Sequence, residues 1–188
     1  MPETHKPLDL DNFTLADLAE AIGDRGAAPV DQWDPEHCGD SEMRIAADGT
    51  WFHQGSPIGR PAMVRLFASV LRREKDGSYV LVTPVEKLSI EVERTPFRAL
   101  AVKSEGSGKD RSLAFQIDHA DPVIAGPDHP LTFAADLDGT VPRLRVRGGL
   151  EAALERPVYY ELAELALQEG GDPPGLWSNG AFFAFPTE

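Results

Sequence analysis

Three Asp-Gly steps, Asp48-Gly49, Asp76-Gly77 and Asp138-Gly139, punctuate the chain between short apolar and β-branched runs. Glycine adopts the positive φ of a tight hairpin without steric cost, so Asp-Gly between such runs is a strong hairpin signal. Residues 43–47 and 50–54 are expected to pair across the first step, and YVLVT (79–83) follows the second. Residues 85–93 alternate from Lys87 onward, with Leu88, Ile90 and Val92 against Lys87, Ser89, Glu91 and Glu93, which is the period of a half-buried strand. Further strands are expected near 97–103, 111–117, 131–136 and 142–148. A chain divided this often is strand-rich.

Helices are fewer. Thr14 caps a segment ending at Gly23, with Phe13 and Leu18 placed to act as a hydrophobic staple. Pro61 suits the first turn of a helix running to Glu74, whose apolar positions include Val64, Phe67 and Leu71. A third helical segment is expected from Leu150 to about Gln168, broken near Arg156 because Pro157 cannot donate in a helix interior. The pentapeptide AADGT (46–50) returns as AADLDGT (134–140), each time in the order strand, turn, strand, helix. The expected class is therefore α+β, with two similar strand-rich subdomains from a duplication, residues 1–84 and 85–188, and a ligand cleft between them.

Charge narrows the function. The net charge is −13, so a counterion-displacing DNA or RNA surface is not expected, nor is attraction to an anionic membrane. The balance is uneven: the first fifty residues carry −9 and residues 51–100 carry +3. The single cysteine, Cys38, excludes an internal disulfide and multi-cysteine zinc patterns. It is expected to be a small buried thiol, in a reduced cytoplasmic setting.

No HExxH, P-loop, dinucleotide fingerprint or nucleophile elbow is present, so no cofactor and no enzymatic activity are expected. Asp118, His119 and Asp121 form the one group with metal-ligand chemistry, and solvated turn residues are the simpler account. Arg143, Arg145 and Arg147 repeat at i, i+2 and i+4, which on a regular strand places three guanidinium groups on one face about 6.6–6.8 Å apart. They form either a solvent face balanced by carboxylates or an anion-recognition face using bidentate arginine contacts. Trp51, His53, Arg60 and Lys87 are the corresponding candidates in the first half, with Trp177 a possible aromatic wall. Trp51 and Phe52 must point to opposite sides of a strand.

The blocks CGDSEMRI (38–45), DGTWFHQGSPIGRPAMVRLFASVLRREKDGSYVLVTPVEKLSIEVERTPF (48–97), VRGGLEAALERPVYYELAELAL (146–167) and LWSNGAFFAF (176–185) resemble the mainly proteobacterial family catalogued as domain of unknown function 1285 (DUF1285). The resemblance covers most of the chain. It implies a two-domain fold built by duplication, with a C-terminal part similar to a pleckstrin-homology (PH) fold. It also implies a nucleotide-like ligand at the domain interface and a signalling role. The leading expectation is a non-enzymatic ligand-binding or adaptor protein that takes a small anionic ligand. The alternatives are a protein-interaction module without a small ligand and a metal-dependent phosphohydrolase.

Overall fold

The computed structural model describes residues 28–136 and 139–186. The helix expected at 14–23 lies outside the described residues. The chain divides into two compact units: residues 28–44 with Trp51–Glu91, and Ile45–Thr50 with the chain from Val92 onward.

The first sheet contains β1 (Cys38–Ile45), β2 (Trp51–His53), β3 (Ser56–Pro57), β4 (Leu71–Arg73), β5 (Tyr79–Val82) and β6 (Lys87–Val92), in the order β3-β2-β1-β6-β5-β4. Helix α1 (Pro61–Ser69) joins β3 to β4. The second sheet contains β7 (Phe97–Glu105), β8 (Ser112–Ile117), β9 (Val123–Ile124), β10 (Leu131–Asp136), β11 (Gly139–Arg147) and β12 (Leu150–Leu154), in the order β10-β11-β12-β7-β8-β9. Helix α2 (Arg156–Glu169) and the hairpin of β13 (Gly175–Ser178) and β14 (Ala181–Ala184) follow.

The two orders are one pattern. Each sheet is two three-stranded meanders, with the first strand of the first meander beside the last strand of the second. That central seam is parallel between β7 and β12. In the first sheet, Lys87 N–H donates to the His37 carbonyl at 2.9 Å and Glu93 N–H to the Ile45 carbonyl at 3.0 Å. Both numbers rise together, so this seam is parallel too. The helices break the likeness: α1 lies between its two meanders, and α2 follows its second. The AADGT echo falls elsewhere. Residues 46–50 join the first two strands of one sheet, and 134–140 join the fourth and fifth strands of the other.

Each element follows from local chemistry, with two departures. Pro61 begins α1 as expected, and Val64, Phe67 and Ala68 are buried at helical spacing. Burying a side chain such as Phe67 contributes about 2–3 kcal/mol. The helix stops at Ser69, earlier than its apolar periodicity predicts, because Leu71–Arg73 pairs with β5 instead. Residues 150–154, expected to be helical, form β12: Ala152–Leu154 pairs in parallel with Phe97–Ala99, and Leu150 is almost wholly buried. Pro157 then falls in the first turn of α2, where its missing N–H costs nothing. Val158, Leu162 and Ala166 carry one buried face of α2 onto β7 and β13. Arg111, buried beside it, donates to Ser104 Oγ and to Glu169, and so holds the Glu169 carboxyl below the usual glutamate range. No described helix is long and apolar enough to cross a membrane.

Candidate functional site

The parallel seam of the second sheet is closed by one guanidinium. Asp118, the residue after β8, donates its N–H to the Arg98 carbonyl at 3.0 Å. Its carboxylate accepts Arg98 N–H at 2.7 Å and Nε–H at 3.2 Å. Arg98 Nη1 reaches Glu155, the residue after β12, at 2.9 Å. Asp118 is 6% exposed, and burial lifts its carboxyl above the usual aspartate range against the pull of these donors. The Asp-Gly turn of residues 45–50 packs in the same unit. Gly49 has φ +85°, and a Cβ there would stand 2.2 Å from Arg98 Nε. This glycine serves both the turn and the close approach of Arg98.

The matching seam of the first sheet is built with different charged residues. Gln54, the residue after β2, donates its N–H to the Glu42 carbonyl at 2.9 Å, as Asp118 does to Arg98. Its side-chain amide donates to Glu42 Oε2 at 2.6 Å. Glu93 and Glu155 also correspond, each following its strand and donating to the first strand of its sheet, at Ile45 and Ala99. The two correspondences differ by two residues: the Gln54 bond aligns Glu42 with Arg98, while the Glu93 bond aligns Arg44 with it.

A β-bulge shapes this seam. From His37 to Ile45 β1 advances eight residues while β6 advances six, from Lys87 to Glu93. Glu42 absorbs the bend at φ +56°, and its N–H is accepted by Asp40 Oδ1 at 2.8 Å. Ser41 Oγ donates to the Ser89 carbonyl at 2.6 Å and accepts Met43 N–H at 3.2 Å, so a side chain ties the seam at the bulge. Here the first unit has an open groove of about 550 Å³. Asp40, Glu42, Glu91 and Arg44 supply its charge and Met43 and Phe52 its apolar surface, with the Arg44 guanidinium 4.4 Å from the centre of the Phe52 ring.

The arginine stripe is broken. Arg145 pairs with Glu151, but the register then slips and Arg147 pairs with Leu150. Paired residues share a face and adjacent residues do not, so Arg147 is turned away from Arg143 and Arg145. Its guanidinium lies 6.0 Å over the ring of Phe97, a core residue. Arg143 Nη1 reaches Glu151 Oε2 at 3.5 Å, and its buried Nε has no hydrogen-bond partner. Arg145 is exposed.

The remaining candidates are dispersed. Trp51 is 2% exposed and belongs to the core, while Phe52, on the opposite side of β2, is half-buried. His53 is exposed and pairs with Ser56. Arg60 is exposed and caps α1 through its carbonyl, which accepts the N–H groups of Met63 and Val64. Lys87 Nζ lies 3.9 Å from Glu74, which also binds Arg72 at 2.7 Å. Trp177 stacks on Phe182 at 5.4 Å between ring centres, with Lys109 Nζ 5.5 Å from its own ring centre. Trp51, His53, Arg60 and Lys87 thus belong to the first unit and the other four to the second. The metal alternative is not realised: Asp118 is engaged by Arg98, and no group of three or more His, Cys, Asp or Glu among the described residues is arranged to hold an ion. Cys38 is exposed, contrary to the expectation of a buried thiol.

Sequence reasoning missed Arg98, Glu42, Met43 and Phe52 as members of seams. The available signal was the place of Gln54 and Asp118 directly after second strands, but the register that makes those places equivalent is non-local.

Family models described as "Domain of unknown function (DUF1285), N-terminal domain" and "Protein of unknown function (DUF1285), C-terminal domain" match residues 28–95 and 96–185. The crystal structure of a DUF1285 family protein from Silicibacter pomeroyi DSS-3 is 46% identical, with a TM-score of 0.83 over 94% of this chain and 96% of that one. A DUF1285 family protein from Shewanella baltica OS155 is 25% identical, with a TM-score of 0.51 over 65% of this chain and 91% of that one. No curated protein matches the chain.

Proposed function

The chain belongs to the DUF1285 family, and from that premise we propose that it is a non-enzymatic ligand-binding or adaptor protein of bacterial signal transduction, working in the cytoplasm, whose second unit holds a small anionic, nucleotide-like group on one face of β11. The observation that carries this reading is the pair Arg143 and Arg145. They stand at i and i+2 on one face with Glu151 opposite, Arg145 is exposed, and Arg143 keeps a buried Nε without a partner. Two guanidinium groups against one carboxylate leave local positive charge in a chain of net charge −13. That balance suits a phosphate or carboxylate held by charge-assisted hydrogen bonds. A PH-like second unit arising from a duplication is the architectural part of the same proposal, supported by the repeated strand order and by a helix following the second sheet.

Calorimetry with nucleotides and phosphorylated metabolites tests the ligand. Binding that weakens by about tenfold or more in Arg143→Ala/Arg145→Ala is the expected result, because each charge-assisted bond is worth about 1.5–3 kcal/mol. Absence of binding at millimolar ligand removes the anion from the reading.

A further inference from the structure

From the open edge of β10 we infer a docking site for an extended, acidic segment of a partner protein, added to the second sheet as a further strand. The inference rests on the proposed anion-binding role of Arg143 and Arg145 for its charge, and on backbone geometry for its shape. At six residues β10 is the longest strand at an end of either six-stranded sheet; β3, β4 and β9 have two, three and two. Arg145 N–H donates to the Pro130 carbonyl at 3.1 Å, so these two form a hydrogen-bonded pair. Such pairs alternate along an antiparallel ladder. Thr132 and Ala134 therefore bond inward to β11, while Leu131, Phe133 and Ala135 turn their N–H and C=O groups to the open edge. Pro142 fits this alternation, because it stands opposite Phe133, where no N–H toward β10 is needed. Among the described residues no strand pairs with that edge, and residues 131–135 include no lysine, proline or bulge to keep one away.

The first sheet treats its matching strand differently. β4 holds the place of β10, as the first strand of its second meander, and residues 28–33 are fastened beside it. Ala28 N–H donates to the Ser69 carbonyl at 3.3 Å, and Arg72 Nη1 to the carbonyls of Val30 and Trp33 at 2.9 and 2.7 Å. The side chains around β10 say what can lie along its edge. On the face of Leu131, the Phe133 ring is 5.2 Å from that of Phe185, which is 6.1 Å from that of Tyr159. Apolar side chains of an added strand meet an aromatic wall there. On the opposite face Thr132 and Ala134 are short, and behind them on β11 Arg143 stands across from Thr132. An added strand lies about 4.8 Å beyond β10, so a glutamate on it and an arginine on β11 reach toward each other over those short side chains. Arg143 and Arg145 outnumber Glu151, and this surplus of positive charge selects an acidic occupant over a basic or neutral one. The segment that fits is extended, with apolar and acidic residues in alternation, recognised by strand addition.

The probe is the blocked peptide Val-Glu-Val-Glu-Val-Glu-Val, titrated into the full chain with amide hydrogen exchange as the readout. In the free protein the amides of Leu131, Phe133 and Ala135 are expected to exchange fast and those of Thr132 and Ala134 slowly; with saturating peptide all five are slow. Arg143→Ala/Arg145→Ala is expected to weaken the peptide by about tenfold or more. Ala135→Pro removes one outward N–H and no bond to β11, a change that an edge strand accommodates. It is expected to abolish peptide protection at Leu131 and Phe133, while slow exchange at Thr132 shows the ladder intact and nucleotide calorimetry matches the wild type. The peptide methylated on every backbone nitrogen keeps its side chains and charge, loses its donors, and is expected not to bind the unaltered protein. The inference is overturned by slow outward amides in the free protein, by no added protection at millimolar peptide, or by equal binding of the methylated peptide or of a Val-Lys analogue. Peptide binding lost in the arginine variant but unchanged in Ala135→Pro removes the added strand and keeps the anion site. Peptide binding of the expected pattern without nucleotide binding keeps the added strand and removes the nucleotide.

Discussion

At the seam of the second sheet, Arg98 is locked between Asp118 and Glu155; in the first, Glu42 bonds to Gln54 and Arg44 lies over Phe52, beside an open groove. The strand order, the parallel seam and the hydrogen bonds that frame it are shared. What differs is the placement of the charged residues, and a two-residue bulge in β1. One strand order thus carries two seams: in the second sheet an ion pair closes it, and in the first its charged residues, Arg44 among them, line an open groove. The cost of the arrangement also differs, because Asp118 is buried and Glu42 is exposed.

The largest effect is expected where the seam is closed. Arg98→Ala leaves Asp118 buried without its partner and is expected to cost about 3 kcal/mol of unfolding free energy. The pH dependence has a definite sign. Burial raises the folded-state pKa of Asp118 above its unfolded value, so the proton it holds when folded favours the native state below the unfolded value. That contribution is lost as pH rises through the folded value, and removing Arg98 widens the window. Urea unfolding at several pH values is expected to show the deficit of the variant growing from acid toward neutral pH. A deficit independent of pH would mean that Arg98 acts through packing alone.

Gly49→Ala is the next largest. Alanine at φ +85° is strained by about 1–2 kcal/mol, and its methyl would meet Arg98 at 2.2 Å. A loss of about 2 kcal/mol in chemical denaturation is expected. In an Arg98→Ala background the loss should fall toward the backbone strain alone, and an unchanged loss would separate the turn from the seam. Smaller still, Glu42→Gln/Glu91→Gln at the open seam is expected to change stability by no more than about 0.5 kcal/mol, because exposed charges contribute little. A loss rivalling that of Arg98→Ala would make the first seam structural as well.

Much of this architecture was legible from local chemistry. Asp48-Gly49 and Asp76-Gly77 turn hairpins because their glycines take φ +85° and +89°, and Pro61 opens α1. Non-local pairing was not legible. Leu150–Leu154 is made of good helix formers, and it is a strand because β7 offers it a parallel partner. Leu71 continues the apolar period of α1 and nonetheless leaves the helix to pair with Leu81. The slips in β1 and β11 were hidden for a similar reason. A register slip depends on the partner strand, so spacing within PRLRVR could not reveal that Arg147 turns to the opposite face. The two sheets share a strand order, but the AADGT echo that suggested a repeat marks hairpins that do not correspond.

The claim that Gln54 and Glu42 pair as Asp118 and Arg98 do is tested most directly by placing a second guanidinium opposite Glu42. Gln54 already bonds to Glu42 through backbone and side chain, so Gln54→Arg places a cation beside that carboxylate. Unfolding free energies of the wild type, Gln54→Arg, Glu42→Gln and the double variant form a thermodynamic cycle. A favourable coupling of about 0.5 kcal/mol between positions 54 and 42 is expected, the size of an exposed ion pair. A coupling of zero, with Gln54→Arg equally tolerated whether or not Glu42 carries charge, would contradict the equivalence.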